Sequence, residues 1–274
     1  MTAYMDHKNL ANEAIDGVRA VQIADGVHRV LDRIASAEQH AGRDAGSVRL
    51  LAATKTRDVG EIMAAIDAGV RMIGENRPQE VMAKAEGLMA RCGERGFALG
   101  VADDAGASTI AGEHIPFHLI GQLQSNKIGK VLPVVNAIES VDSLDLAEKI
   151  SRRAVARGIT VGVLLEVNES GETSKSGCDP SHAIRIAQKI GTLDGLELQG
   201  LMTIGAHVSD ETAIRRGFEH LRRTRDRILA SGEPGTQSCR ELSMGMTGDM
   251  ELAIAEGSTI VRVGTAIFGE RAFI

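Results

Sequence analysis

The sequence predicts an α/β protein folded as a (β/α)8 TIM barrel, with one extra helix ahead of the barrel. Three observations carry that expectation. From residue 48 onward, eight short apolar runs alternate with capped amphipathic segments. A chain of 274 residues accommodates eight such units, and parallel strands need right-handed helical crossovers before the eighth can close on the first. No Gly-x-Gly-x-x-Gly turn follows the first run, which makes the alternative, an open doubly wound sheet, the poorer fit.

Taken in order, a polar lead is followed by a helical stretch from about Leu10 to His40. There Val18, Val21, Ile23, Val27, Val30, Leu31 and Ile34 largely follow helical spacing. The strands are expected at Val48–Lys55, Arg71–Glu75, Phe117–Gly121, Ala137–Val141, Thr160–Asn168, Leu196–Ile204, Glu241–Met244 and Thr259–Phe268. Asp58 caps a helix that stops at Gly69, and Ser143 starts one that stops near Gly158. Asp179 caps a helix with Pro180 in its first turn, ending around Gly191. Gly93 to Ile115, rich in Gly, Ala, Asp and Ser, breaks the rhythm and reads as a surface excursion. The expected division is an N-terminal helical extension over 1–47, packed on a barrel over 48–274, within one structural domain.

Composition excludes several classes. With 43% apolar and 25% charged residues the chain reads as an ordinary soluble protein. A net charge of -6 and the lack of a long basic run argue against nucleic-acid binding. Cys92, Cys178 and Cys239, odd in number and far apart, fit neither a disulfide framework nor a zinc site. No apolar stretch has the length of a membrane span or a signal peptide. The expected setting is the cytoplasm, with no metal.

The chemistry is expected at the C-terminal ends of the strands, where the loops after the seventh and eighth strands often hold phosphate. The first run ends on one cation, Lys55. Partial desolvation there makes a lysine a carbonyl-reactive amine, although most lysines are simply solvated. The seventh run leads into Ser243-Met244-Gly245-Met246-Thr247-Gly248-Asp249, with glycines for close backbone approach, hydroxyls, and a helix starting at once. The eighth continues as Arg262-Val263-Gly264-Thr265, again glycine and hydroxyl behind a cation. Each loop alone reads as an ordinary turn; two on adjacent strands beside Lys55 describe a phosphate cradle. Arg262, inside an apolar strand, needs a partner: either a carboxylate or an uncharged ring nitrogen of a ligand. His118 reads as a core histidine ahead of a base, and Lys127 as solvated. Glu166 and Asn168 alternate off the apolar face of the fifth strand toward the upper barrel. Lys175, in Ser174-Lys175-Ser176-Gly177, is a candidate second amine for cofactor transfer.

Amine, phosphate cradle and ring-facing cation are the needs of pyridoxal 5'-phosphate (PLP) held as a Schiff base. At this point the chain resembles the pyridoxal phosphate homeostasis family, with its alanine racemase N-terminal-domain-like barrel. The matching stretches are Leu51–Lys55, Gly74-Glu75-Asn76, Phe117–Lys127, Ser140–Ser143, Ser174–Gly177, Gly200–Met202 and Leu242–Gly269. The resemblance implies that Lys55 forms the Schiff base and that Ser243, Met246, Thr247, Gly264 and Thr265 surround the phosphate. It also implies that Arg262 faces the pyridine nitrogen, leaving it unprotonated, and that Asn76 contacts the cofactor. Two departures stand out. Thr247-Gly248 replaces a more usual Ser-Asp, removing a carboxylate, and Arg77-Pro78 stands where an aromatic residue is common.

Two functions fit such a site. A racemase needs a base on each face of the substrate carbon, which in alanine racemase includes a tyrosine from an additional β-domain. The single tyrosine here is Tyr4, in the N-terminal lead, and the sequence stops at Ile274 soon after the eighth strand. The expectation is therefore a barrel lacking the C-terminal β-domain, a monomeric PLP carrier without robust catalysis that contacts PLP-dependent apoenzymes transiently. A PLP-dependent amino-acid racemase or other weak PLP enzyme is the alternative. A phosphosugar isomerase would use the cradle but leave Lys55 without a task.

Overall fold

The apolar runs close into a barrel of eight parallel strands in the computed structural model, which describes residues 9–101, 113–171, 176–205, 208 and 210–270. The strands are β1 (Arg49–Ala53), β2 (Ile73–Glu75), β5 (Phe117–Leu119), β6 (Ala137–Val141), β7 (Val161–Glu166), β8 (Leu196–Met202), β9 (Glu241–Ser243) and β10 (Ile260–Val263). Their order around the barrel is β1-β10-β9-β8-β7-β6-β5-β2. β1 closes it by pairing with β10, Leu51 opposite Arg262 and Ala52 opposite Val263. Leu51, Met72, Ile120 and Ile260 pack with Ala53 inside the barrel. The helices α2 (Val59–Asp67), α3 (Pro78–Gly93), α4 (Ile128–Val131), α5 (Leu144–Val155), α6 (Ala183–Ile190), α7 (Glu211–Ala230) and α8 (Met250–Ala255) surround it, and α9 (Thr265–Phe268) follows the last strand. None of the described helices is long and apolar enough to cross a membrane.

The caps act where the sequence places them. Asp58 accepts from Glu61 N–H while Glu61 reaches back to the Asp58 N–H, a reciprocal capping box. Ser143 Oγ accepts from Leu146 N–H, and Asp179 accepts from Ser181 N–H ahead of α6. Four expectations are corrected. Helix α1 runs Gly17–His40 and starts only after Asp16, whose carboxylate caps it. The preceding residues are not helical: Leu10 and Ala11 form a turn closed by the Asn12 N–H on the Asn9 carbonyl (3.1 Å), and the Leu10 and Asn12 carbonyls accept the Val59 and Gly60 N–H groups at the start of α2 (3.2 and 2.9 Å). The first strand stops at Ala53, so Lys55 stands in a turn closed by Arg57 N–H on the Thr54 carbonyl (2.9 Å). The last run breaks at Gly264, and Thr265–Phe268 is helical. Within the surface excursion, β3 (Ala98–Leu99) and β4 (His114–Ile115) form a separate two-stranded parallel sheet, too short to show a period; residues 102–112 lie outside the described residues.

α1 is joined to the barrel by contact with α2, α8 and α9. Ile23, Val27, Val30 and Ile34 are buried in the same core as the barrel's outer strand faces. Its approach to α9 is close because Gly26 has no side chain: a Cβ there would stand 2.5 Å from the Ile267 carbonyl oxygen. Gly26→Ala should therefore lower stability by about 1–3 kcal/mol through overpacking, although alanine favours a helix over glycine by roughly 1 kcal/mol. Denaturant unfolding measures this, and a midpoint at or above wild type would refute the close fit.

Candidate functional site

At the C-terminal ends of the strands lies a cavity of about 470 Å3. Lys55, Asn76, Met246, Thr247, Arg262, Gly264 and Thr265 all line it, with Arg57, Ile120 and Phe268 among the others. Seven of the eight expected binding residues thus meet in one place. A second cavity of similar volume, about 470 Å3, opens beside Ile15, Val21 and Met63 near α1, α2 and α3, without such a convergence of amine and hydroxyl groups.

Lys55 is half-buried, at the end of a sharp reversal of the chain. The residue after it, Thr56, has φ +65°, a left-handed conformation that a β-branched side chain rarely adopts. Its N–H donates to Glu80 Oε2 (2.7 Å). Beneath the turn, the Lys84 ammonium donates to the Thr54 carbonyl (3.0 Å), to Glu80 Oε2 (2.9 Å) and to Glu75 Oε2 (2.5 Å). Glu75, Glu80 and Lys84 are wholly buried. Glu75 Oε1 also accepts the N–H of Asn76 (2.8 Å). Burial pushes the Glu75 carboxyl up, opposed by the neighbouring Lys84 ammonium and helped by Glu80. Nothing in the sequence pattern marks this cluster. Glu80 and Lys84 have the i,i+4 spacing of a solvated surface pair, and only the position of α3 against β1 and β2 shows that they face inward.

Arg262 is also buried, and it has partners within the chain. Nη1 donates to Ser243 Oγ (2.7 Å) and Nη2 to the Thr203 carbonyl (2.8 Å). Ser243 in turn donates to Glu139 Oε2 (2.5 Å), whose other oxygen meets His118 Nδ1 (2.7 Å). The carboxylate partner therefore exists, one hydroxyl away, while the guanidinium still borders the cavity. Burial alone would raise the Glu139 pKa, but the hydrogen bond and charge of His118, then Arg262 and Ser243, bring it below its ordinary value. His118 is a partnered core residue. Ser243 departs from its expected place: it is fully buried, does not line the cavity, and spends its hydroxyl between Arg262 and Glu139.

The loop after β9 turns at Gly245, with φ +93°. Met246 N–H donates to Asp249 Oδ1 (2.6 Å), so this amide is committed within the loop. Asp249 keeps a carboxylate in this loop, but it is spent on Met246 and makes no capping bond to α8, so the cap lost at Gly248 is not replaced. Arg33 of α1 donates to the Thr247 carbonyl (3.0 Å) and to Glu251 (2.8 Å), fastening the loop from outside. Across the lip, the N–H groups opening α9 have no acceptor within that helix. Arg57 stacks over Phe268, 5.6 Å from the ring centroid, which brings an aromatic ring to the cavity despite Arg77-Pro78. Arg77 instead precedes α3, with Pro78 in its first turn. Lys127 is half-buried in a 3-10 turn, and Asn168 Oδ1 accepts from Ser170. Lys175 and Tyr4 lie outside the described residues.

Glu166 ends β7 and is buried. Burial and the Asp142 charge push its carboxyl up to about 7, against the opposing pull of Arg262. The folded chain therefore keeps this proton from the ordinary 4.5 up to about 7, and stability is lost as pH rises through that window. Glu166→Gln should remove this slope and raise stability above neutrality by on the order of 2–3 kcal/mol. Denaturation at about pH 5 and about pH 8 tests it: equal wild-type-to-variant differences at the two pH values would sink the assignment.

Comparisons with known proteins agree with this fold. Residues 28–272 match the family described as alanine racemase, N-terminal domain. A pyridoxal phosphate homeostasis protein of Vibrio cholerae is 38% identical over 254 residues, 91% of this chain and 96% of that protein. The crystal structure of an unknown protein from Bifidobacterium adolescentis is 85% identical, with a TM-score of 0.92 over 95% of this chain and all of that one. PipY of Synechococcus elongatus, solved with PLP bound, is 30% identical, with a TM-score of 0.66 over 86% of this chain and all of PipY. The chain belongs to the alanine racemase N-terminal domain family and, within it, to the pyridoxal phosphate homeostasis proteins.

Proposed function

We propose that this chain binds PLP at the barrel mouth, holds it covalently through Lys55, and serves PLP homeostasis by supplying the cofactor to apoenzymes. The observation that carries the reading is the meeting of Lys55, Arg262 and the two hydroxyl-bearing loops in one cavity. PipY, a relative of similar fold, is a PLP-bound protein. PLP supplies an aldehyde that condenses with a primary amine, releasing one water, together with a phosphate dianion and a pyridine ring.

The residues fit such a group. Lys55 offers the amine. Thr247 and Thr265, with the backbone around Gly248 and Gly264, offer hydroxyls and close approach to a phosphate on the same rim. Burial lowers the Arg262 pKa, opposed by the Glu139 and Glu166 charges; as a donor-only guanidinium it would hydrogen-bond a ring nitrogen that carries no proton of its own. Ser243 acts behind it, holding the guanidinium in place. Asn76 and Met246 complete the walls. The reading includes a cytoplasmic monomer that meets apoenzymes transiently. Cys92, Cys178 and Cys239 are all buried unbonded thiols, as a reducing compartment favours.

Purified protein incubated with PLP should gain visible absorbance, and borohydride reduction should fix the cofactor to the Lys55 peptide, as read by mass spectrometry. Lys55→Ala should lose the adduct altogether. A wild-type protein that stays colourless with PLP, or an undiminished adduct in Lys55→Ala, overturns the assignment. Amino-acid racemisation by the loaded protein well above that of free PLP would move the reading from carrier to enzyme.

A further inference from the structure

None of Lys84, Glu75 and Glu80 lines the cavity, yet together they hold both peptide groups that flank Lys55. The carbonyl before Lys55, that of Thr54, accepts from Lys84. The N–H after it, that of Thr56, donates to Glu80. Glu75 joins the two strands: its Oε2 accepts from Lys84 and from the Thr54 hydroxyl (3.0 Å), and its Oε1 from the N–H of Asn76. The left-handed Thr56 is the sole non-glycine residue with positive φ among the described residues, and such outliers persist only where their surroundings over-determine them.

We propose that Lys84, Glu75 and Glu80 are positioning residues, which fix the backbone on both sides of Lys55 and keep Thr56 left-handed so that the Lys55 amine faces the ligand. The inference rests on the proposed attachment of PLP at Lys55. Stability alone gives little reason for the arrangement. Replacing a buried ion cluster with apolar residues of similar volume is often neutral or stabilising, and a left-handed threonine is strained. Both features become intelligible as geometry: φ and ψ of Lys55 lie between two anchored peptides, and the same carboxylate that anchors Thr54 just after β1 anchors Asn76 just after β2. Burial raises the Glu75 pKa, against the pull of the Lys84 ammonium and with Glu80 adding to the rise.

The test compares the full chain with Glu80→Ala, Glu80→Gln and Glu80→Ala combined with Thr56→Gly. Two readouts are used: the rate at which PLP becomes attached to Lys55, and amide exchange at Thr56 in the cofactor-free protein. Glu80→Ala should slow attachment about tenfold, the scale set by releasing a strained residue, and should speed Thr56 exchange. Glu80→Gln, which keeps an acceptor, should lose less than about threefold. Adding Thr56→Gly should restore most of the lost rate, because glycine adopts positive φ readily; a merely structural role predicts a further loss. Attachment at the wild-type rate despite faster Thr56 exchange, or a double variant slower than Glu80→Ala, overturns the inference. Should Glu80→Ala not fold, Glu80→Asp, one methylene short of the Thr56 amide, takes its place with the same two outcomes. If the wild type itself attaches no PLP, the cofactor reading fails instead. The inference then stands or falls on Lys55 labelling by formaldehyde and cyanoborohydride, with equal pH profiles for wild type and Glu80→Ala counting against it.

Discussion

The barrel mouth depends on one ammonium that does not reach solvent. Lys84, wholly buried on α3, ties the end of β1 to the end of β2 through Thr54, Glu75 and Glu80. Removing one member of such a group leaves an uncompensated buried charge, typically costing about 3–5 kcal/mol. The interaction therefore constrains everything above it: the turn that carries Lys55, the reversal at Thr56 and the backbone of Asn76. A hydrophobic plug of equal volume would seal the gap between α3 and the strands, but it would leave the Thr54 carbonyl and the Thr56 N–H without these partners.

A second polar chain, different in kind, crosses the barrel between β5 and β6 on one side and β9 and β10 on the other, flanking β1 and β2. His118, Glu139, Ser243 and Arg262 run through the barrel interior, each polar group meeting the next. A cation, a lowered carboxylate and a shared hydroxyl let an arginine sit inside a strand without stranding its charge. The lysine cluster fixes backbone and the arginine chain fixes a side chain, and both aim at the same cavity.

α1 belongs to this arrangement as well. Arg19 donates to the Phe268 carbonyl (2.8 Å) and pairs with Glu61, while Arg33 holds the Thr247 carbonyl. Gly26 lets the helix lie directly on the backbone of α9. The N-terminal helix thus buttresses from outside the two loops that border the cavity, which links its packing to the cavity's shape.

Sequence alone determined the barrel, because alternation of apolar runs with capped helices is a local pattern that leaves few closed topologies. It also marked Lys55, Arg262 and the glycine–hydroxyl loops, since a cation at the end of an apolar run and paired Gly-Thr turns are visible in one dimension. It misjudged Ser243, because strand residues alternate sides and only the Glu139 and Arg262 side chains, distant in sequence, claim that hydroxyl. It missed Glu75, Glu80 and Lys84 for a related reason: an i,i+4 pair reads as solvated until a neighbouring strand covers it. Tertiary structure alone decided which polar residues face the cavity and which hold the others in place. Burial and partnership are properties of three-dimensional neighbours, and the residues that position Lys55 meet only when β1, β2 and α3 pack together.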